Sequence, residues 1–225
     1  MLLLVTDTSG KHGCVALARA DGQSAVELIE SVPLAGGTFS AQLVPQIAAL
    51  LAKHGFGKRD IDAFIVVSGP GSFTGLRVGL AAIKALAEIL HKPIVPVSLL
   101  EVVALASGRS GNVLAVLDAG RGEVYAGEYE ISNNDARFSR EQLLTKDEWL
   151  SLGQGLAVVT PDESLAEAGR SGGLSVSLIP ALPAERIARV GWRKLQTGGT
   201  VKVEQLEANY IRRSDAEILA KDKSM

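Results

Sequence analysis

The first residues whose types suggest chemistry stand where an apolar run ends. Residues 2–5 form a compact hydrophobic segment leading into Asp7-Thr8-Ser9-Gly10. A carboxylate at a strand end, followed by hydroxyls and a glycine, can hold a metal-bound phosphate. Backbone N–H and hydroxyl groups then meet the phosphate oxygens while Asp7 orients metal or water. A second acid-ended strand, 113–118, closes on Asp118. Asp7, Ser9 and Asp118 are thus the candidates for a phosphate site, with Asp118 able to face the others from a second half of the molecule. Residue type favours a plainer role, because Asp is a common turn former for backbone reasons alone.

The run Gly69-Pro70-Gly71-Ser72-Phe73-Thr74-Gly75-Leu76-Arg77-Val78-Gly79 is the next candidate. It departs from a P-loop because no Lys follows Gly75. It also departs from a dinucleotide fingerprint, because Thr74 stands where a small residue, preferably Gly, is required. The better reading is a tight turn into a helix capped by Ser72 or Thr74. Conventional catalysts are scarce elsewhere. His12, His54 and His91 have no metal-ligand spacing, and no Gly-x-Ser-x-Gly elbow is present. Glu123 and Glu128 fall on opposite strand faces by parity. Cys14 is the single cysteine, so no internal disulfide forms, and its strand-like neighbours make it a small hydrophobe. Arg212-Arg213 can touch phosphate, but two basic residues near a terminus are usually solvated.

The elements that must position these residues follow from periodicity. Strands are expected over 2–5, 13–20, 25–32 and 61–68, with a hairpin turn at Asp21-Gly22 and a loop over 33–38. A helix is expected over 40–54, beginning near Leu43 or bent by Pro45. Another follows over 73–90, then a short strand over 93–96 and a helix over 98–106. The second half reads as strands 113–118 and 123–131, a helix over 139–150, a strand over 156–159, a short helix over 163–168, a strand over 174–179 and a helix over 184–195. The tail carries Tyr210-Ile211-Arg212-Arg213 and then polar residues. Alternating strands and helices indicate the α/β class. The two acid-ended strands open halves of similar grammar, which suggests a duplicated fold with subdomains 1–98 and 99–225.

Two helices carry more apolar surface than one packing face needs. From 76 to 90 the only charges are Arg77, Lys84 and Glu88, and Gly75, Gly79 and Ala82 present a small face where another helix backbone could approach. The earlier helix adds Ala41, Val44, Ala48 and Ala52 to its Leu/Ile stripe. Such surplus suggests cover by a second chain, with Leu43, Val44, Ile47, Ala48, Leu51, Leu76, Gly79, Leu80 and Ile83 as interface candidates. The competing reading is that the two faces pack on each other inside the domain.

Bulk properties set the limits. A chain of 225 residues can hold one large or two small domains. With 47% hydrophobic but only 4% aromatic residues, the core must be built from Ala, Val, Leu and Ile. A net charge of -2 supplies no overall basic surface for gripping nucleic acid unaided. No apolar run approaches bilayer length, and residues 1–5 are too short and lack the basic start of a signal peptide. With its single thiol, the chain reads as cytoplasmic.

Taken in order, Asp7-Thr8-Ser9, the glycine run 69–79, Asp118-Ala119-Gly120-Arg121-Gly122-Glu123-Val124-Tyr125 and Tyr210-Ile211-Arg212 closely resemble the bacterial TsaB family, also called YeaZ. The likeness spans nearly the whole chain. It implies two subdomains of the actin and sugar-kinase type (ASKHA, ribonuclease H-like). It also implies a non-catalytic scaffold that binds the paralogous enzyme TsaD, and with it the ATPase TsaE. That pathway makes threonylcarbamoyladenosine next to the tRNA anticodon. The paralogue carries a His-containing metal motif on the helix equivalent to 40–54. Here Phe39-Ser40-Ala41-Gln42-Leu43 stands there, so no metal and no cofactor are expected. Relatives often have His where Phe39 stands. Pairing through the two N-terminal helices is implied too, as a homodimer alone or a heterodimer with the enzyme, with tRNA met only through the complex. The alternative is a stand-alone actin-like ATPase or a peptidase acting on the paralogue. The first could use Asp7, Ser9 and Asp118. The second lacks a visible nucleophile–base pair.

Overall fold

The computed structural model describes residues 1–22, 25–133, 135–180 and 182–212. Arg213 and the polar tail beyond it lie outside the described residues. Among the described residues the chain forms two compact units, the first from 1–102 with 182–208 and the second from 103–180 with 209–212.

The first unit is built from β1 (Leu2–Asp7), β2 (His12–Asp21), β3 (Ala25–Ala35), α1 (Phe39–Lys53), β4 (Ala63–Gly69), α2 (Phe73–Leu90) and β5 (Ile94–Ser98), followed by α3 (Leu99–Ala106). Its five strands are ordered β3-β2-β1-β4-β5. β1 pairs antiparallel with β2 and parallel with β4. The middle strands need apolar residues on both faces, which is why Leu2–Val5 and Phe64–Val67 are unbroken runs. Leu4, Leu17, Phe64 and Val66 meet Leu43, Ile47 and Leu50 of α1 and Leu80 and Ile83 of α2 on one face.

The second unit repeats the plan with β6 (Gly111–Gly120), β7 (Glu123–Ser132), β8 (Asp135–Thr145), α4 (Lys146–Leu152), β9 (Ala157–Thr160), α5 (Glu163–Ser171) and β10 (Ser175–Leu178). The order β10-β9-β6-β7-β8 is the same sequence of partners read from the other edge. Its helices pack around Trp149, which is 1% exposed, against Leu114, Val116, Val124 and Ala126.

Three expectations change. Residues 139–145 extend β8 instead of opening a helix, because they complete a ladder with β7 in which Arg140 faces Glu128 at 2.9 Å. The helix starts only at Lys146, where Thr145 and Glu148 cap each other's backbone N–H groups. In addition, β3 runs on to Ala35 through Pro33, which an edge strand tolerates because no partner needs the missing N–H on its open side. The division into contiguous halves 1–98 and 99–225 also differs from the observed units. The final helix, α6 (Ala184–Gln196), belongs with the first sheet. Its apolar stripe, including Ile187, Ala188, Val190 and Trp192, is buried. Gly191 lies so close to β4 that a Cβ there would sit 2.4 Å from the Ile65 side chain.

Candidate functional site

The turn after β1 is held by its own side chains. Asp7 Oδ1 accepts hydrogen bonds from the Ser9 N–H at 2.8 Å and the Ser9 hydroxyl at 2.6 Å. Asp7 is half-buried by exposed area, yet its carboxyl lies deep enough that burial pushes it above the ordinary carboxylate range. The Ser9 donors only partly oppose that shift. Opposite it in the β1–β2 register stands Cys14. Burial, then the charge of Asp7, pushes its thiol up to about 12, which leaves no thiolate for nucleophilic work near neutral pH.

The glycine run supports this turn from the side. The Ser72 N–H donates to the Ser9 carbonyl at 2.6 Å, and Ser72 caps α2 by accepting from the Gly75 N–H at 3.3 Å. A Cβ on Gly71 would lie 2.2 Å from the Ser9 carbonyl oxygen, one on Gly75 2.1 Å from that of Thr8, and one on Gly79 2.2 Å from Thr8 Oγ1. Gly75 and Gly79, one turn apart on α2, and Gly71 just before the helix all border space filled by the chain's own β1–β2 turn. The small face expected to admit another helix is therefore used internally. Beside it, Lys11, Phe39, Ser40, Ser72, Thr74 and Val78 help line an open cavity of about 220 Å³.

Asp118 lies in the second unit, exposed, with Oδ1 accepting the Gly120 N–H at 2.8 Å. Each of the three proposed phosphate residues thus makes a local turn bond, and Asp7 and Ser9 satisfy each other. Two of the three histidines have structural settings. His54 Nε2 lies 2.7 Å from Glu30 Oε2, and His91 caps α2 in the left-handed region at φ 53. Among the described residues, no three His, Cys, Asp or Glu side chains gather as a metal site. No described helix is long and apolar enough to cross a membrane.

The interface candidates divide sharply. Leu43, Ile47, Leu51, Leu76, Gly79, Leu80 and Ile83 are buried within the first unit's own core. Only Val44, 53% exposed, and Ala48 face outward. The buried seven form the stripe that packs on the sheet, which a list drawn from apolarity alone cannot separate from an outer face. The outward apolar residues are Ala41, Val44, Pro45, Ala48, Ala49 and Ala52 on α1 and Ala81, Ala85 and Ile89 on α2, with Ile89 68% exposed. The sequence reading missed Ala81, Ala85 and Ile89. Their spacing of four, offset from Leu76, Leu80, Ile83 and Ala87, was the available signal.

A family model described as TsaD: tRNA N6-adenosine threonylcarbamoyltransferase matches residues 33–186. The tRNA threonylcarbamoyladenosine biosynthesis protein TsaB of Escherichia coli is 31% identical over 190 residues, covering 78% of this chain and 81% of its own. The protein of the same name from Bacillus subtilis is 36% identical over 135 residues, covering 59% of this chain and 57% of its own, so this chain spans little more than half of that relative. Among solved structures, YeaZ from Pseudomonas aeruginosa superposes with a TM-score of 0.71 at 24% identity, covering 92% of this chain and all of that one. A protein described as similar to peptidase YeaZ from Pseudomonas aeruginosa gives a TM-score of 0.70 at 27% identity, covering 94% and 99%. With the duplicated sheet, these establish the α/β fold of the actin and sugar-kinase, ribonuclease H-like type.

Proposed function

We propose that this chain, which belongs to the TsaB family, serves threonylcarbamoyladenosine formation on tRNA as a scaffold subunit and not as the catalyst. The observation that carries this reading is that α1 and α2 each turn apolar residues to solvent, Val44 and Ala48 on the first and Ala81, Ala85 and Ile89 on the second. A surface helix ordinarily turns charge to water. On this reading the face receives a TsaD-type paralogue, and a second copy of the chain when the paralogue is absent. The TsaE-type ATPase and tRNA are then met only within the complex, in the cytoplasm, and the chain brings no cofactor of its own.

Two features of the first unit agree with a non-catalytic role. Phe39 and Leu43 are buried core residues at the end of α1 where the enzyme paralogue is expected to carry its metal-binding histidines. Asp7, the candidate for orienting metal, has its carboxyl engaged by Ser9 and its ionisation disfavoured by burial.

Sedimentation of the chain, alone and with a TsaD-type paralogue, with and without ATP, tests the proposal. The expected result is self-association that gives way to a one-to-one complex. The double variant Val44→Asp/Ala81→Asp is expected to remain monomeric and ignore the paralogue, with its stability changed by no more than about 0.5 kcal/mol. A wild-type chain that stays monomeric, ignores the paralogue and binds ATP tightly would reopen the ATPase reading.

A further inference from the structure

The β6–β7 turn has a brace of its own, made by the C-terminal segment. Gly120, Arg121 and Gly122 follow one another in the left-handed region, at φ 73, 60 and 77. Arg121 is a costly residue there, because its Cβ crowds the backbone. Such a turn holds its shape only when its surroundings over-determine it.

Arg212 supplies that constraint. Its Nη1 donates to the Ala119 carbonyl at 2.7 Å, and its Nη2 donates to the Glu123 carboxylate, so one guanidinium grips both sides of the turn. Three residues earlier, the Asn209 amide donates to Glu141 of β8, whose other carboxylate oxygen receives the Tyr129 hydroxyl of β7. Residues 209–212 are therefore fastened at both ends to the second unit, which the chain enters between Ala208 and Asn209. Tyr125, on the same face of β7 as Glu123, Gly127 and Tyr129 by strand parity, lies close enough to feel the Arg212 charge.

We propose that residues 209–212 are a strap that fixes the β6–β7 turn, with Arg212 as its positioning residue. The β1–β2 turn occupies the equivalent place in the first unit, and there the glycines of α2 do this work. The same point in the repeat is thus held by two unrelated devices. Loss of Arg212 loosens the second turn and leaves the first untouched.

Hydrogen–deuterium exchange on the full chain reads this directly. In Arg212→Gln, amides over 119–124 are expected to exchange about tenfold faster, while those over 7–13 keep the wild-type rate. Arg212→Lys retains the charge near Glu123 but cannot hold both acceptors in a fork, and is expected to fall between the two. Unchanged exchange over 119–124 in Arg212→Gln overturns the proposal. So does acceleration spread equally over both units, which marks general destabilisation. If Arg212→Gln does not fold, Arg212→Lys decides by the same criteria.

Discussion

The two units share a strand order but not a surface. In the first, α1 and α2 run 15 and 18 residues. In the second, α4 and α5 have only 7 and 9. The outward positions of α5 are Glu163, Ser164, Glu167, Arg170 and Ser171, as expected for a helix that faces water. Those of α1 are mainly Ala41, Val44, Pro45, Ala48, Ala49 and Ala52. Both helix pairs bury an apolar stripe on their own sheet, so that stripe belongs to the fold. What the first unit adds is a second apolar face, and that addition is the feature a binding role needs. The comparison also separates two uses of glycine. Gly71, Gly75 and Gly79 admit backbone and hydroxyl of a turn, whereas Gly169 admits the side chains of Val176 and Trp149.

The strongest way to break this comparison is a charge in the shared stripe. Ile83→Asp is expected to cost more than about 4 kcal/mol, enough to unfold the first unit, because Ile83 is 0% exposed and an aspartate there has no partner. Denaturant unfolding followed by circular dichroism measures it. A folded, dissociated Ile83→Asp protein would mean that the buried stripe is the interface after all. Smaller is the contrast between Gly75→Ala and Gly169→Ala. The first places a Cβ 2.1 Å from a backbone oxygen, and net of better helix propensity should cost about 2–3 kcal/mol. The second meets a methyl of half-buried Val176 on the edge strand β10 at 2.7 Å and the buried Trp149 ring at 3.0 Å. The edge strand can shift where the backbone oxygen cannot, so the cost should be smaller, about 1–2 kcal/mol. Equal costs in parallel melts would remove the distinction between the two kinds of glycine.

Smallest is Asp7→Asn, which keeps an oxygen for Ser9 and removes a carboxylate whose ionisation burial disfavours. A carboxyl with a folded pKa above its unfolded one favours folding at low pH. That contribution is lost as pH rises from the unfolded value through the folded one. Asp7→Asn should therefore melt slightly above wild type at neutral pH, and the gap should close in acid. A gap that widens on acidification would show that the ionised form is the stabilising one.

Much of the fold was legible because strong local signals carry it. The apolar runs 2–5 and 61–68, the Ser72 cap and the acid-ended strands all have short-range causes. So did the Thr145-x-x-Glu148 capping box, a signal present in the sequence and passed over in favour of a longer helix. The extension of β8 was not legible in the same way. Residues 139–145 mix polar and apolar positions, and their strand form comes from the open edge of β7 and the Arg140–Glu128 pair. The site was read less well than the fold. Helical spacing identified which residues of α1 and α2 are apolar, but two stripes on one helix have the same composition.

By itself the sequence determined the class of fold, the internal repeat, the tight turns at Asp7 and Asp118 and the family, because each rests on residue type and spacing within a few positions. Only the tertiary structure decided which stripe of α1 and α2 meets the sheet and which meets solvent. It alone set the glycine run against the β1–β2 turn, sent α6 back to the first sheet and gave Arg212 its grip on a turn 93 residues away. All of these are contacts between segments distant in sequence. Their partners are chosen by packing and by the need to satisfy buried polar groups, neither of which a local pattern can express.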